Sequence, residues 1–148
     1  MTVELKNQLN WGKPKIEVEQ IPHLLPEQIS GIHTDSIERF TAAHVRHLTQ
    51  EQIQALSPRQ IALLFGDLFD NRRAALTPQQ IAYFNGQQIA GLNDTQLLRF
   101  CDTQHVIPHL TQEQIQALSQ TQINLLFDGQ NNSRRVAALN PQVRINIR

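Results

Sequence analysis

The sequence predicts an all-α fold, a superhelical array of short capped helices (an octad α-solenoid) with small strand-like terminal caps, and three observations carry that prediction. Apolar residues recur every eight positions at Ile29, Ile37, Val45, Ile53 and Ile61, with Ile32, Phe40, Leu48, Leu56 and Leu64 following in step. A helix-start signature accompanies each beat, as in Leu48-Thr-Gln-Glu-Gln-Ile-Gln-Ala-Leu56. Above the octad lies a duplication: Thr49 to Ser57 recurs unchanged as Thr111 to Ser119, and Gln-Ile-Ala-Leu-Leu-Phe65 is matched by Gln-Ile-Asn-Leu-Leu-Phe127. Self-similarity at a fixed short period means that each unit is too small to fold alone and must stack on its neighbours.

Taken in chain order, residues 1–16 read as an N-terminal cap. Thr-Val-Glu-Leu5 and the alternation of Lys-Ile-Glu-Val-Glu19 suggest short strands around an Asn-Trp-Gly-Lys-Pro14 turn. Residues 17–76 form module A and residues 77–139 module B, two halves of one domain because octads resume at Thr77 without a linker. Residues 140–148 form a C-terminal cap, where Val143, Ile145 and Ile147 alternate like a strand. Solenoids need ends that hide the last turn; strands at both termini could also pair between two chains, giving a homo-oligomer.

Within the modules every octad position has a role at a helix start. Thr49, Ser57, Thr77, Asn85, Asn93, Thr111 and Ser119 suit the N-cap, where a side-chain oxygen accepts from an otherwise unpaired N–H of the first turn. Three residues later Gln52, Gln60, Gln80, Gln88, Gln96, Gln114 and Gln122 complete a capping box. Pro58 and Pro78 fall at the first helical position, where a missing N–H is harmless, and Glu51 and Glu113 meet the positive end of the helix dipole. One continuous helix is the rival reading. At roughly 100° per residue, eight residues overshoot two turns by about 80°, so the apolar stripe would circle the rod and face water on every side. Restarting at each cap instead turns every Ile and Leu toward a common core, in helices of about seven residues, roughly 10 Å long.

Composition narrows the function. The 148 residues balance 13 basic against 13 acidic side chains, so no global field draws nucleic acid or an anionic membrane. Hydrophobic runs fall short of a membrane span and Met1-Thr-Val-Glu is not a signal peptide, which predicts a soluble chain, cytoplasmic or exported by a route that needs no Sec-type signal. A single cysteine excludes an internal disulfide.

Chemistry-bearing residues are few. His44 and His47, and His105 and His109, occupy matching places in the two modules at a spacing that can share a metal, but His44 fills the Gln capping slot and no Cys or acidic cluster completes a ligand set. Cys101, beside Asp102 and Thr103 in a unit stretched by two residues, would need a base and an oxyanion site to act as a nucleophile; His105 four residues on is the one local candidate for the base, and the thiol reads as inert, buried or at a boundary. Asp67, Asp70 and Asn71, like Asp128, Asn131 and Asn132, have the composition of a calcium loop without its ligand spacing, and read as turn formers. No catalytic residue, metal or cofactor is expected. The Arg pairs Arg72-Arg73 and Arg134-Arg135 are the leading candidates for binding because they recur on the least regular segments, read as loops; guanidinium forks take carboxylates and phosphates, or alternatively one Arg of each pair braces the carbonyls of a preceding helix end or the nearby Asp. Variable octad positions such as Gln50, Gln54, Arg59, Gln87 and Gln116 complete the candidate surface.

Leu-Thr-Gln-Glu-Gln-Ile and Leu-Thr-Pro-Gln-Gln-Ile resemble the opening of TAL effector repeats over about six residues, with an eight-residue period and no base-reading loop here. Across residues 17–126 the chain is more similar to the Thr-x-x-Gln-Ile-x-x-Leu octads of bacterial secreted, surface or effector-like proteins. That resemblance implies a bacterial interaction scaffold. The expected function is therefore non-enzymatic protein–protein interaction. Nucleic-acid binding by a helical array is the alternative, and the charge balance weighs against it.

Overall fold

The computed structural model describes residues 16–66, 71–128 and 133–144. Among the described residues it is all helix, with no strand. In chain order a first 3₁₀ turn, Val18–His23, leads to α1 (Pro26–Ser30), α2 (Thr34–Ile37), α3 (Ala42–Arg46), α4 (Gln50–Gln54) and α5 (Pro58–Phe65). Then come α6 (Asn71–Ala75), α7 (Pro78–Tyr83), α8 (Gly86–Ala90) and α9 (Asp94–Phe100). A second 3₁₀ turn, Ile107–His109, precedes α10 (Gln112–Gln116), α11 (Gln120–Phe127), α12 (Ser133–Ala138) and α13 (Pro141–Arg144).

The capping boxes explain why the chain restarts. Thr49 accepts from the N–H of Gln52 at 3.3 Å, and the Gln52 side-chain oxygen accepts from the N–H of Thr49 at 3.0 Å. The same reciprocal pair closes the starts of α5, α7, α8, α9, α10 and α11. Octad helices end early. In α4 the Leu56 N–H turns back to the Ile53 carbonyl, and Leu48, Leu92 and Leu118 do the same in their units, so five residues rather than seven is the commonest helix length among the described residues. The apolar slots face one core: Ile29, Ile37, Val45, Ile53, Ile61, Ile81 and Leu97 are sealed from solvent, and the buried residues from Ile16 to Val143 form a single cluster.

Stacking follows a rule. Most elements pack on the third one after them: the first 3₁₀ turn on α3, α1 on α4, α2 on α5, α3 on α6 and α4 on α7; then α7 on the second 3₁₀ turn, α8 on α10, α9 on α11, and the second 3₁₀ turn on α12, while at the long helix α5 packs on α9, the fourth after it. Gly86 marks how close this stacking is, because a Cβ there would collide with the Cβ of Ala117 from the third unit on. At the duplicated long helix, Phe65, Phe84 and Phe100 form an edge-on trio with centroids 5.4 to 6.1 Å apart.

Where the strand-like stretches expected from sequence fall on described residues, the structure is helical. Val18 and Glu19 lie in the first 3₁₀ turn, started when Gln20 accepts from the N–H of Glu17 at 2.6 Å, and Val143 lies within α13. Local helix-start chemistry wins over alternation there. The remaining strand assignments, in residues 1–15 and at Ile145 and Ile147, fall outside the described residues.

Candidate functional site

Two parts of the candidate surface differ in kind: the Arg pairs at the module junctions and the variable octad positions. Both have to be judged against what the repeated Gln is already doing. Its carbonyl end closes the capping box; its amide end reaches into the core and donates to main-chain carbonyls about thirty residues earlier. Gln52 donates to Ile21 and Leu24 at 2.6 and 2.8 Å. Gln60 donates to Ile29, Gln80 to Val45 and Leu48, Gln88 to Ile53 and Leu56, and Gln114 to Ile81 and Phe84. These acceptors cluster at helix ends: the Ile and Val carbonyls also take the N–H three residues on, and those of Leu24, Leu48, Leu56 and Phe84 lie just past their helices; the donor always sits four units further on. Sequence alone assigns the Gln only to the capping box. The signal for its second role is that the slot holds Gln in place after place and never Glu, which would cap as well but cannot donate.

His44 occupies the same slot. Its Nδ1 accepts from the Thr41 N–H at 3.0 Å and its Nε2 donates to the Ile16 carbonyl at 2.6 Å, while the ring stacks on Phe40. Both nitrogens are therefore used in the fold. His47 holds the Ala43 carbonyl through Nδ1 at 2.8 Å. Among the described residues no group of three or more His, Cys, Asp or Glu side chains is arranged to hold a metal ion.

Arg72 and Arg73 lie on α6, and Arg134 and Arg135 on α12, so both pairs are helical rather than carried on irregular segments. Arg72 stands eight residues before Gln80 and takes over the long-range role of the Gln. Its Nη1 donates to Glu38 and Phe40, four units earlier, and its Nη2 to Leu63. Arg73 is buried, donating Nη1 to the Phe65 carbonyl at 2.6 Å and Nε to Asp102 at 2.5 Å. Asp102, which stands out in the sequence only as a neighbour of Cys101, is the junction's hub. Its Oδ1 accepts from the N–H groups of His105 and Val106, and its Oδ2 meets Arg73 and the His105 ring. Burial alone would raise its pKa, but the bonds from the His105 backbone and ring and from Arg73 outweigh burial and hold it below the usual carboxylate value. Cys101 is fully buried, and burial pushes its thiol up to about 12 despite the nearby Arg135 and Arg73; at neutral pH it is a thiol, not a nucleophilic thiolate.

Gln50, Gln54, Arg59, Gln87 and Gln116 are all exposed, as is Arg134. Gln54 also donates to the Tyr83 carbonyl at 3.0 Å. The Gln, Ile and Leu of the octad build the stack, while among the positions between them Gln50, Glu51, Gln54, Arg59, Gln79, Gln87, Gln112, Glu113 and Gln116 meet solvent and Ala55, Ala62, Leu63 and Ala90 pack against the core's edge. No helix among the described residues is long and apolar enough to cross a membrane. No family model matches the chain, and neither the curated proteins nor the solved structures yield a significant match.

Proposed function

We propose that the chain is a non-enzymatic scaffold that binds another protein through the solvent-facing octad positions of a helical coil. The observation that carries the reading is the division of labour inside the octad: the Ile and Leu slots and most of the Gln slots are buried, whereas Gln50, Gln54, Arg59, Gln87 and Gln116 are exposed. Packing on the third element and hydrogen bonding to the fourth unit support winding of the helices into a superhelix of between three and four octads per turn. A coil of that kind presents successive units side by side and suits an extended partner surface. The likeness of the octads to those of bacterial secreted and effector-like proteins supports a role in host or surface interaction.

The test places a photo-crosslinking residue at Gln54, Arg59 or Gln116, one at a time, in the native setting. A common partner protein crosslinked from at least two of these sites and weakened by Arg59→Glu is the expected result. Strong, salt-dependent binding of mixed-sequence DNA or RNA, with no protein crosslink, would support the nucleic-acid reading in its place.

A further inference from the structure

Asn85 and Gly86 are the one place in the sequence where an asparagine precedes a glycine. The glycine is not free to change, since a Cβ there would meet Ala117, and its nitrogen has no side chain beside it to hinder attack on the preceding side-chain amide. Asn85 is exposed, so water reaches it, and Gly86 opens α8, where the first N–H groups have no intrahelical acceptor. In the closed cap Asn85 is held on two sides. Its Oδ1 accepts from the Gln88 N–H at 2.9 Å, and its own N–H donates to Gln88 Oε1 at 2.9 Å. The main chain behind the cap is held less firmly. The Ile89 N–H lies 3.5 Å from the Asn85 carbonyl, whereas the same bond spans 2.8 to 3.2 Å at the starts of α3, α4, α5, α7, α9, α10 and α11, so α8 has the weakest first bond of these helices.

We propose that Asn85 is a site of spontaneous deamidation, reached by local opening at the start of α8. With the cap released, the Gly86 main-chain nitrogen gives its proton to solvent base and its electron pair attacks Asn85 Cγ. The Cγ–Nδ2 bond breaks and ammonia leaves, closing a cyclic imide. Water then adds to either imide carbonyl. Cleavage at Cγ restores the main chain with aspartate at residue 85, and cleavage at the Asn85 carbonyl carbon routes the chain through the side chain as isoaspartate. The net change consumes water, releases ammonia and involves no oxidation or reduction. The two products act differently on the stack. Aspartate keeps an acceptor for the Gln88 N–H. Isoaspartate puts an extra methylene into the main chain beside Gly86, where there is no slack against Ala117, and so displaces Gln88, whose amide ties α8 to the Ile53 and Leu56 carbonyls.

Asn93 is an internal control. It is exposed and caps α9 in the same way, its Oδ1 accepting from the Gln96 N–H at 2.8 Å and its N–H donating to Gln96 Oε1 at 2.9 Å, but it precedes Asp94. The experiment incubates the full folded chain at physiological temperature, at neutral and at mildly alkaline pH, and follows the peptides around both residues by mass spectrometry after separating the aspartyl and isoaspartyl forms. The expected result is progressive loss of the amide at Asn85, faster at the higher pH and in urea, giving both forms while Asn93 stays intact. Gly86→Ala combined with Ala117→Gly moves the methyl to the other side of the contact, and should slow the reaction at Asn85 several-fold while circular dichroism shows the helices retained. Asn85 keeping its amide in native buffer as long as Asn93 overturns the proposal, as does parent-rate deamidation in the folded double variant; the comparison with Asn93 needs no variant to fold. A native rate equal to that in urea overturns the requirement for opening.

Discussion

A buried glutamine that joins two distant pieces of chain makes the octad sensitive at a position that looks merely polar. Replacing Gln114 by Ala removes the acceptor for the Thr111 N–H and a donor to the Ile81 and Phe84 carbonyls; Ile81 keeps the Phe84 N–H, while the Thr111 N–H and the Phe84 carbonyl lose the bonds that satisfy them. Each such group costs about 1–3 kcal/mol, so urea titration should show Gln114→Ala at least about 2 kcal/mol less stable, whereas Gln116→Ala, two residues on and exposed, stays within about 0.5 kcal/mol of the parent. Gln114→Glu should fall with Gln114→Ala at neutral pH because it keeps the cap and loses the donor. His44→Gln should retain near-parent stability, since the ring already performs both roles of the amide. Asp102 gives a pH signature. Its folded-state pKa lies below the ordinary value, so its contribution is present above about pH 4 and is lost as the pH falls through the folded value. The stability difference between the parent and Asp102→Asn should accordingly be largest near neutrality and shrink in acid.

At the scale of the element, caps decide more than apolar content does. A helix of five residues is far below the length that sustains itself in water; here both its ends are satisfied by side chains, one local and one four units away. Stacking leaves no slack at Gly86, so Gly86→Ala should lower the melting temperature even though alanine is the better helix former, because the new methyl meets Ala117. The octad, its caps and its core positions are legible from spacing and residue type. Helix lengths are less so, since the turn from Leu56 back to Ile53 is a hydrogen-bond choice that periodicity does not encode. Arg72 reads in sequence as a feature of an irregular segment because the inserted residues before it hide its place in the Gln slot. The long-range acceptors of Gln52 and Gln114 are not legible at all, for an offset of some thirty residues is set by how the helices stack and not by any local pattern.

For the whole molecule, the unit of tolerance is the octad. Inserting one residue between Thr49 and Leu56 should unfold or severely destabilise the chain, because Ile53 and Leu56 leave the core and Gln52 loses its reach. Deleting residues 49–56 entire should be milder, since Gln60 then stands four units from the carbonyls of Ile21 and Leu24. Melting curves for the two variants that coincide would rule out this unit-by-unit organisation. Donors that always reach back to the fourth unit give the chain a formal kinship with the α-helix itself, in which every N–H reaches back to the fourth residue. An α-helix must order several residues before its first bond rewards it, and is therefore slow to nucleate and quick to extend. By the same counting, a fragment of four octads contains none of these long-range glutamine bonds and a fifth octad contributes the first. Assembly should thus cross a threshold near forty residues, beyond which each further octad locks onto a turn already built.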